Sequence, residues 1–257
     1  MKVAVVTQKR SGSTVFREFL ASGGALEVGE VFHGQARDTT SFYPYAAARI
    51  GEDPLLAHPA HLPHLLIHYM NHLCATSADG DVVFGLIDSD IMLFESRHAF
   101  TTGRPLLFDY LDALGVRFVQ VRRRNVLASL ISLRQAEVTD IWERKNGQLT
   151  DAVVALELES LVDDLESLVW RDEVIAKWLA ASSLTISIAY EDMFGRDGLF
   201  SSEAMAVGRQ FFPDKVLNLR PVYTKTGHRD ASRGVGNWSQ VCEVLAGTRF
   251  EWMTNSP

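Results

Sequence analysis

The fold is decided by residues 1–20, which read MKVAVVTQKRSGSTVFREFL. Residues 3–6 form a short β-branched run that is typical of a buried strand. A polar, basic turn around Gly12 follows, and residues 14–20 have apolar side chains at helical spacing. A strand, a glycine-containing turn and a helix point backbone N–H groups and a helix N-terminus at an anion. The start of the chain therefore predicts a site for a phosphate-sized group.

Length and charge limit the class of protein. The chain has 257 residues, 47% of them hydrophobic and 22% charged, with a net charge of −7. Such a chain can bury a substantial core, and no stretch is a convincing linker, so we expect a single domain over 1–257. The negative charge disfavours a nucleic-acid partner. The basic residues are instead clustered at 9–10 and 122–124, which suits a small polyanionic ligand.

Cysteine usage and hydropathy indicate the compartment. Cys74 and Cys242 are far apart and show no metal-ligand spacing, which fits a reducing environment. No apolar run approaches the ~18 residues of a membrane span, and no signal-peptide pattern is present. We therefore expect a cytoplasmic protein without a membrane partner, and the oligomeric state is left open.

Short apolar segments alternate with long helical stretches. Strands are predicted at 3–6, 82–87, 117–121 and 185–189. This alternation is typical of an α/β fold, a three-layer sandwich with a mostly parallel central sheet and helices on both faces. Ligands of such folds bind beyond the carboxyl ends of the strands. Three of the four strands end in polar clusters, at 9–14, 122–125 and 190–192, and these clusters predict one composite site.

Three further segments are read as structural. Residues 38–63 are interpreted as irregular because prolines and glycines interrupt them. Residues 150–178, the later part of the helical segment 134–178, are read as one or two packing helices. The histidine stripe His61, His64, His68 and His72 is interpreted as the polar border of an amphipathic helix rather than as a metal or acceptor-binding site.

The first turn differs from the loop that binds nucleoside triphosphates. That loop reads Gly-x4-Gly-Lys-Ser/Thr, whereas this chain lacks the first glycine and has Ser13 where the lysine belongs. The turn still offers an anion the Arg10 guanidinium and hydroxyl groups. The hydroxyls belong to Ser11, Ser13 and Thr14.

A second basic cluster precedes a predicted helix. Arg124 and Ser132 are eight residues apart, about 12 Å along a helix axis, so they pair directly only if Arg124 precedes the helix and folds back. Two such residues can otherwise hold one phosphate from two sides. The alternative is that Ser132 faces a helix neighbour and the arginines pair with surface acids.

With these motifs the chain resembles the sulfotransferases that use 3′-phosphoadenosine 5′-phosphosulfate. Residues 7–14 are similar to the family's 5′-phosphosulfate loop, in which Lys9 and Arg10 would contact the donor. Arg124 and Ser132 are similar to its 3′-phosphate clamp. Tyr190 begins a motif similar to the one near the adenine, and Arg233-Gly234 begins one similar to the segment that closes over the 3′-phosphate. Residues 21–24 and 29–32 make the pattern most similar to bacterial carbohydrate sulfotransferases.

The resemblance implies a fold and a reaction. The fold would be P-loop-like, and a hydroxyl of a carbohydrate or small metabolite would attack the sulfur of the donor in line. Adenosine 3′,5′-bisphosphate would leave, and no metal is expected. Arg10 stands where many relatives carry lysine; it can stabilise charge but is a poor proton donor, a role open to Lys9. The resemblance points to Glu30 as the base, with His33 as the second candidate.

The chain departs from the family at two places. Relatives stack adenine on a tryptophan after the loop; here Phe16 stands nearby and is interpreted mainly as a core residue. Relatives also carry a lysine in the strand near Gly85, a stretch where this chain has Leu86, Ile87 and Asp88. Contacts attributed to that lysine therefore lack a counterpart. The group at 95–98 is a further candidate for acceptor contact.

Two other functions compete with sulfonate transfer. A small-molecule kinase of the P-loop type would need a triphosphate loop and magnesium-binding acids, and the loop does not meet that requirement. A non-catalytic module that binds adenosine bisphosphate would have Glu30 and His33 far from the sulfonate.

Overall fold

A five-stranded parallel sheet forms the centre of the molecule, with strand order β2-β3-β1-β4-β5. The computed structural model describes residues 1–34, 40–94, 103–142, 152–222 and 231–255. The strands are β1 (Lys2–Thr7), β2 (Leu26–Glu30), β3 (Val82–Ile87), β4 (Val116–Arg122) and β5 (Thr185–Ala189). Every neighbouring pair is parallel, so all carboxyl ends lie at one edge. The predicted α/β class and four predicted strands are confirmed.

Strand β2 was not predicted, and it changes the setting of Glu30. It has five residues, all of them only half-buried, and its pairing with β3 is irregular between Glu27 and Glu30. Gly29 has a φ of 72°, which breaks the regular alternation that identifies strands. Glu30 therefore ends a strand, and His33 lies in the turn that follows, where its N–H donates to the Glu30 carbonyl at 3.2 Å.

Helices cover both faces of the sheet. They are α1 (Ser13–Ala21), α2 (Phe42–Glu52), α3 (Leu62–Thr76), α4 (Asp88–Phe94), α5 (Leu106–Ala113), α6 (Val126–Thr139), α7 (Leu161–Leu179), α8 (Ser202–Phe211) and α9 (Trp238–Leu245). Short 3₁₀ turns occupy Pro54–Ala57, Pro59–His61, Tyr190–Asp192, Ala231–Gly234 and Glu251–Asn255.

The alternating faces of the strands build two hydrophobic layers. Ala4 and Val6 of β1 pack with α2, α3, α5 and the end of α7. Val3 and Val5, from the opposite face of the same strand, pack with α1 and α8. A third cluster joins α6, the start of α7 and α9 beyond the sheet. The sheet is thus the middle layer of three, as the alternation of strands and helices predicts.

The structure corrects two expectations about irregular and helical segments. Residues 42–52, inside the segment expected to be irregular, form helix α2. Pro44 lies in its first turn, where the missing N–H has no intrahelical partner to lose. Helix α7 begins only at Leu161, and residues 152–160 are not helical; Val154 instead pairs with Val235 in an isolated parallel bridge.

Two structural readings are confirmed. Phe16 is fully buried in the core between the sheet and α1. On α3, His64 and His68 are exposed beside the buried residues Leu65 and Tyr69, as expected of a polar helix border.

The described part of the chain contains no group of three or more potential metal-binding side chains. None of its described helices has both the length and the apolar composition needed to cross a membrane. Residues 95–98 lie outside the described residues.

Candidate functional site

The turn between β1 and α1 is shaped by Gly12. Its φ of 86° is left-handed, and a Cβ there would lie 2.4 Å from Cδ2 of Tyr190. Only glycine relieves both constraints, because it has no side chain to collide with the ring. Tyr190 follows β5, so the loop after β1 reaches past the end of β4 to the end of β5.

The turn presents hydrogen-bond donors. Ser11 is fully buried, and its hydroxyl has no hydrogen-bond partner among the described residues. Ser13 is buried at the first position of α1, and Thr14 follows it, partly exposed. The residue that caps α1, Gly12, offers no side-chain acceptor to the first-turn N–H groups. These donors and the helix dipole together favour an anion at this point.

Arg10 connects the turn to α6. Its backbone is left-handed, with a φ of 67°, and its Nε donates to the hydroxyl of Ser132 at 3.0 Å. Its Nη1 donates to the carbonyl of Trp142, while the Lys9 ammonium lies 5.9 Å from the Trp142 ring. Residues 122 positions apart in sequence are therefore in contact beside the turn.

Arg123 supports the turn from below. Its guanidinium carbon lies 4.8 Å from the centre of the Tyr190 ring, and its Nη1 donates to the Arg10 carbonyl at 3.3 Å. Burial lowers the pKa of Arg123, while Tyr190 and Glu191 oppose that shift. Tyr190 is thus held between Gly12 and the half-buried Arg123 guanidinium.

Arg124 precedes α6, as the spacing argument required. It contacts Asp192, however, whereas Ser132 contacts Arg10. Its two terminal nitrogens donate to the Asp192 carboxylate at 2.7 and 2.5 Å, and its side chain is 49% exposed. This contact lowers the pKa of Asp192. Glu191 accepts from the N–H groups of Arg124 and Asn125, at 3.1 and 3.0 Å. In this structure Arg124 therefore follows the alternative in which the arginines pair with acids. Its role in a 3′-phosphate clamp stays a prediction.

The C-terminal motif is anchored on the segment before α7. The Gly234 carbonyl accepts from the Val154 N–H at 3.0 Å, and Gly236 donates back to the Val154 carbonyl at 2.8 Å. The side chain of Asn237 makes two further hydrogen bonds to the backbone of Leu156. Arg233 lies on the exposed surface of this tethered segment.

Carboxylates and a histidine occupy the other side of the edge. Arg17 of α1 is 3% exposed and donates to Glu27 at 2.7 Å and to Glu30 at 3.2 Å. Gly85 of β3 makes room for it, since a Cβ there would lie 2.6 Å from an Arg17 nitrogen. Glu30 is therefore fixed at its strand end by a buried cation.

His33 faces Asp90 on α4. Its Nδ1 lies 3.3 and 3.4 Å from the two carboxylate oxygens. Burial raises the pKa of Asp90, while His33 and Lys9 lower it and Glu30 raises it. Because Asp90 interacts with all three of these groups, the structure brings both candidate bases to the region of Lys9.

Several residues at this edge were not singled out from the sequence. Arg17, Asp90 and Asp172 lie on three different helices, and Trp142 follows the end of a fourth. None of them belongs to a local motif. The available signal was the position of Asp88 and Asp90 directly after a predicted strand, where parallel sheets bind their ligands.

No protein-family model matches the chain, and no curated protein shows significant similarity to it.

Proposed function

We propose that the protein is a sulfotransferase that moves a sulfonate group from 3′-phosphoadenosine 5′-phosphosulfate to a hydroxyl of a carbohydrate or small metabolite. The observation that carries this proposal is the hydrogen bond from Arg10 to Ser132. It joins the loop that would hold the 5′-phosphosulfate to the helix that would hold the 3′-phosphate. A P-loop-like fold agrees with the anion loop between the first strand and the first helix.

Each phosphate of 3′-phosphoadenosine 5′-phosphosulfate would meet a different group of hydrogen-bond donors. The 5′-phosphosulfate suits the first-turn N–H groups of α1 and the hydroxyls of Ser11, Ser13 and Thr14. By the resemblance, the 3′-phosphate would be held by Ser132 together with Arg124 and Arg233, whose guanidinium groups can match its charge. The phosphate loop can use its unpartnered Ser11 hydroxyl without breaking an existing hydrogen bond among the described residues.

Transfer is a displacement at sulfur. The acceptor oxygen forms a bond to sulfur while the bond from sulfur to the bridging phosphate oxygen breaks. The leaving bisphosphate gains negative charge, which Arg10 and the helix N-terminus stabilise. The acceptor proton goes to a base on the β2 side of the edge. Positioning and charge stabilisation supply most of the rate, as in the related transfer of phosphoryl groups.

His33 is the better placed of the two candidate bases. The Asp90 carboxylate orients its Nδ1, which leaves Nε2 to take a proton. The carboxylate of Glu30 instead receives a hydrogen bond from the buried Arg17 guanidinium, which needs a partner. In this proposal Glu30 and Asp90 are positioning residues for His33 and for the acceptor.

The first experiment tests the donor site. Calorimetry with adenosine 3′,5′-bisphosphate should show binding to the wild-type protein, and Arg10→Ala and Ser132→Ala should each weaken it by about 1–3 kcal/mol. Arg134→Ala is the matched control, since Arg134 is a partly exposed residue of the same helix whose side chain pairs with Glu137. Unchanged affinity in both site variants would contradict the shared site.

The second experiment tests the reaction. The protein is incubated with sulfur-labelled donor or with ATP labelled on its γ-phosphate, each with a panel of hydroxyl acceptors. The proposal expects label transfer from the sulfur donor alone. Transfer from ATP supports the kinase alternative, and bisphosphate binding without any transfer supports the non-catalytic module.

A further inference from the structure

Several buried polar atoms lie together beside the proposed sulfonate site. Both amide atoms of Gln8 have no hydrogen-bond partner among the described residues. The same is true of one carboxylate oxygen of Asp88 and one of Asp172. Gln8 is 1% exposed and Asp88 is 6% exposed. A buried polar atom without a hydrogen-bond partner costs about 1–3 kcal/mol of stability, so such atoms normally find a partner in the protein, in ordered water or in a ligand.

The topology of the sheet brings these side chains together. Thr7 and Ile87 are register partners at the ends of β1 and β3, so Gln8 and Asp88 are the next residues along the same edge. Helix α7 is fixed above them, because Gln120 of β4 donates to the Asp172 carbonyl at 2.9 Å. Arg171, the preceding residue on α7, donates to Asp88 at 3.4 Å. Three elements therefore contribute one polar group each to the same place.

The electrostatics of this cluster favour a neutral ligand. The charges of Arg171 and Lys9 offset the negative charge of the Asp88 carboxylate. Burial raises the pKa of Asp172 to about 7. A polar contact with the Gln8 side chain, too poorly aligned to count as a full hydrogen bond, and the charge of Arg122 oppose that shift, while Asp88 and Glu191 add to it. The Asp172 carboxyl therefore exists in both forms near neutral pH, and it can donate as well as accept a hydrogen bond.

The donors and acceptors of the cluster distinguish between possible ligands. A carboxylate ligand would meet two acids. An ammonium group has only donors, so it would leave the amide nitrogen of Gln8 without an acceptor. A hydroxyl group both donates and accepts, and it satisfies an amide and a carboxyl equally well.

We propose that Gln8, Asp88 and Asp172 bind hydroxyl groups of a neutral polyol, such as a sugar ring, as the acceptor subsite. The assignment of this subsite to the acceptor rests on the proposed function. Gln8 directly precedes Lys9 of the phosphosulfate loop, so the subsite adjoins the place proposed for the donor. Lys9 also interacts electrostatically with Asp88 and Asp90. A polyol at this site would therefore lie next to His33 and the loop.

The test uses three probes with the same ring: glucose, glucosamine and glucuronate. Each is titrated into the full chain saturated with adenosine 3′,5′-bisphosphate, and binding is followed by saturation-transfer NMR. Glucose should bind at least 10-fold more tightly than either charged analogue. Gln8→Met and Asp172→Leu should weaken glucose binding at least 10-fold, while Asp172→Asn, whose amide can also donate and accept, should retain most of it.

Asp112→Asn is the matched control, since Asp112 also has a buried carboxylate oxygen without a partner among the described residues but contacts Arg104 and Ser182 instead. It should leave glucose binding unchanged. Circular dichroism identifies any variant that does not fold, and Asp172→Asn and Gln8→Met then test the site independently.

Three results would overturn the inference: no binding of any probe, binding of a charged analogue as tight as that of glucose, or unchanged glucose binding in both Gln8→Met and Asp172→Leu. Failure of the proposed function is a different result, namely no binding of the bisphosphate to the wild-type chain. Glucose binding that depends on Gln8 would remain valid in that case.

Discussion

The carboxyl edge of the sheet has two halves of opposite character, and β1 divides them. On the β4 side, Arg122 ends the strand, Arg123 and Arg124 follow it, and the Arg123 guanidinium donates to the Arg10 carbonyl. On the β2 and β3 side, the groups that follow the strands are carboxylates and a histidine. These are Glu30, His33, Asp88 and Asp90.

The two halves also use their counter-charges differently. On the carboxylate side each of three acids has a nitrogen-containing partner: Arg17 for Glu30, the His33 imidazole for Asp90 and Arg171 for Asp88. On the basic side the acids Glu191 and Asp192 are occupied by Arg124 and the start of α6, while Arg123 is turned inward beneath the loop. One half therefore suits a polyanion, and the other suits a neutral group that must lose a proton.

The largest expected effect is the separation of these two roles by His33→Ala. Loss of a general base typically lowers the rate about 10²–10⁴-fold, so sulfonate transfer should fall by that factor. The affinity for adenosine 3′,5′-bisphosphate should not change, because His33 belongs to the other half. Radiolabelled transfer and calorimetry measure the two quantities.

Glu30→Gln and Asp90→Asn rank the neighbours of His33. Each should lower transfer less than His33→Ala does, since both act through position. His68→Ala, an exposed histidine on α3, should leave transfer unchanged. If Glu30→Gln abolishes transfer and His33→Ala does not, Glu30 is the base.

Replacement of Arg17 by methionine should destabilise the carboxylate half. The substitution leaves Glu27 and Glu30 beside a buried apolar side chain, and breaking one partner of a buried ion pair costs about 3–5 kcal/mol. Urea unfolding measures the change in the free energy of unfolding. Arg49→Met removes an exposed pair with Glu52 and should cost less than about 1 kcal/mol. A cost equal to this control would show that the buried cluster contributes nothing.

The boundary between the halves should show itself in the pH dependence of stability. The pKa of Asp172 is about 7 in the folded state and near 3.8 for an ordinary aspartate, so the folded state binds the proton more tightly. Stability conferred by that proton is present below about pH 4 and is lost as pH rises toward 7. Asp172→Asn should therefore raise the free energy of unfolding at pH 8 by about 1–3 kcal/mol and have little effect at pH 3.5.

Unfolding in urea at the two pH values checks this expectation. Asp163→Asn, at an exposed position of the same helix, is the control and should change neither value by more than about 0.5 kcal/mol. A gain of equal size at both pH values would mean that titration of Asp172 is not its source.

The predictable part of the fold was the part with strong local patterns. Residues 3–6 and 82–87 are apolar runs whose burial on both faces follows from a parallel sheet, and both became strands. Strand β2 is half-buried at the sheet edge, so its residues carry no such pattern. Helix α2 was missed because Pro44 and Pro54 suggest irregular chain, although Pro44 is harmless in a first turn and Pro54 lies beyond the last.

The site divides along the same line. The loop at 9–14 and the cluster at 122–124 were visible because each directly follows a strand, and parallel strands bring their ends together. The contact between Arg10 and Ser132 required both the helix after β4 and a left-handed Arg10 backbone. Asp172 gains its importance only from the packing of α7 over β4, which no residue spacing reveals.

The smallest expected effect tests whether Arg124 belongs to the donor site at all. Its guanidinium contacts Asp192 in this structure, so a 3′-phosphate would have to compete with that carboxylate. Arg124→Ala should weaken bisphosphate binding about 5–10-fold, whereas Asp192→Asn should tighten it about 2–5-fold by removing the competitor. Asp214→Asn, an exposed acid elsewhere, controls for the change in net charge. If Asp192→Asn weakens binding instead, the ion pair itself holds the basic half in shape, and Arg124 acts as a structural residue between β4 and β5.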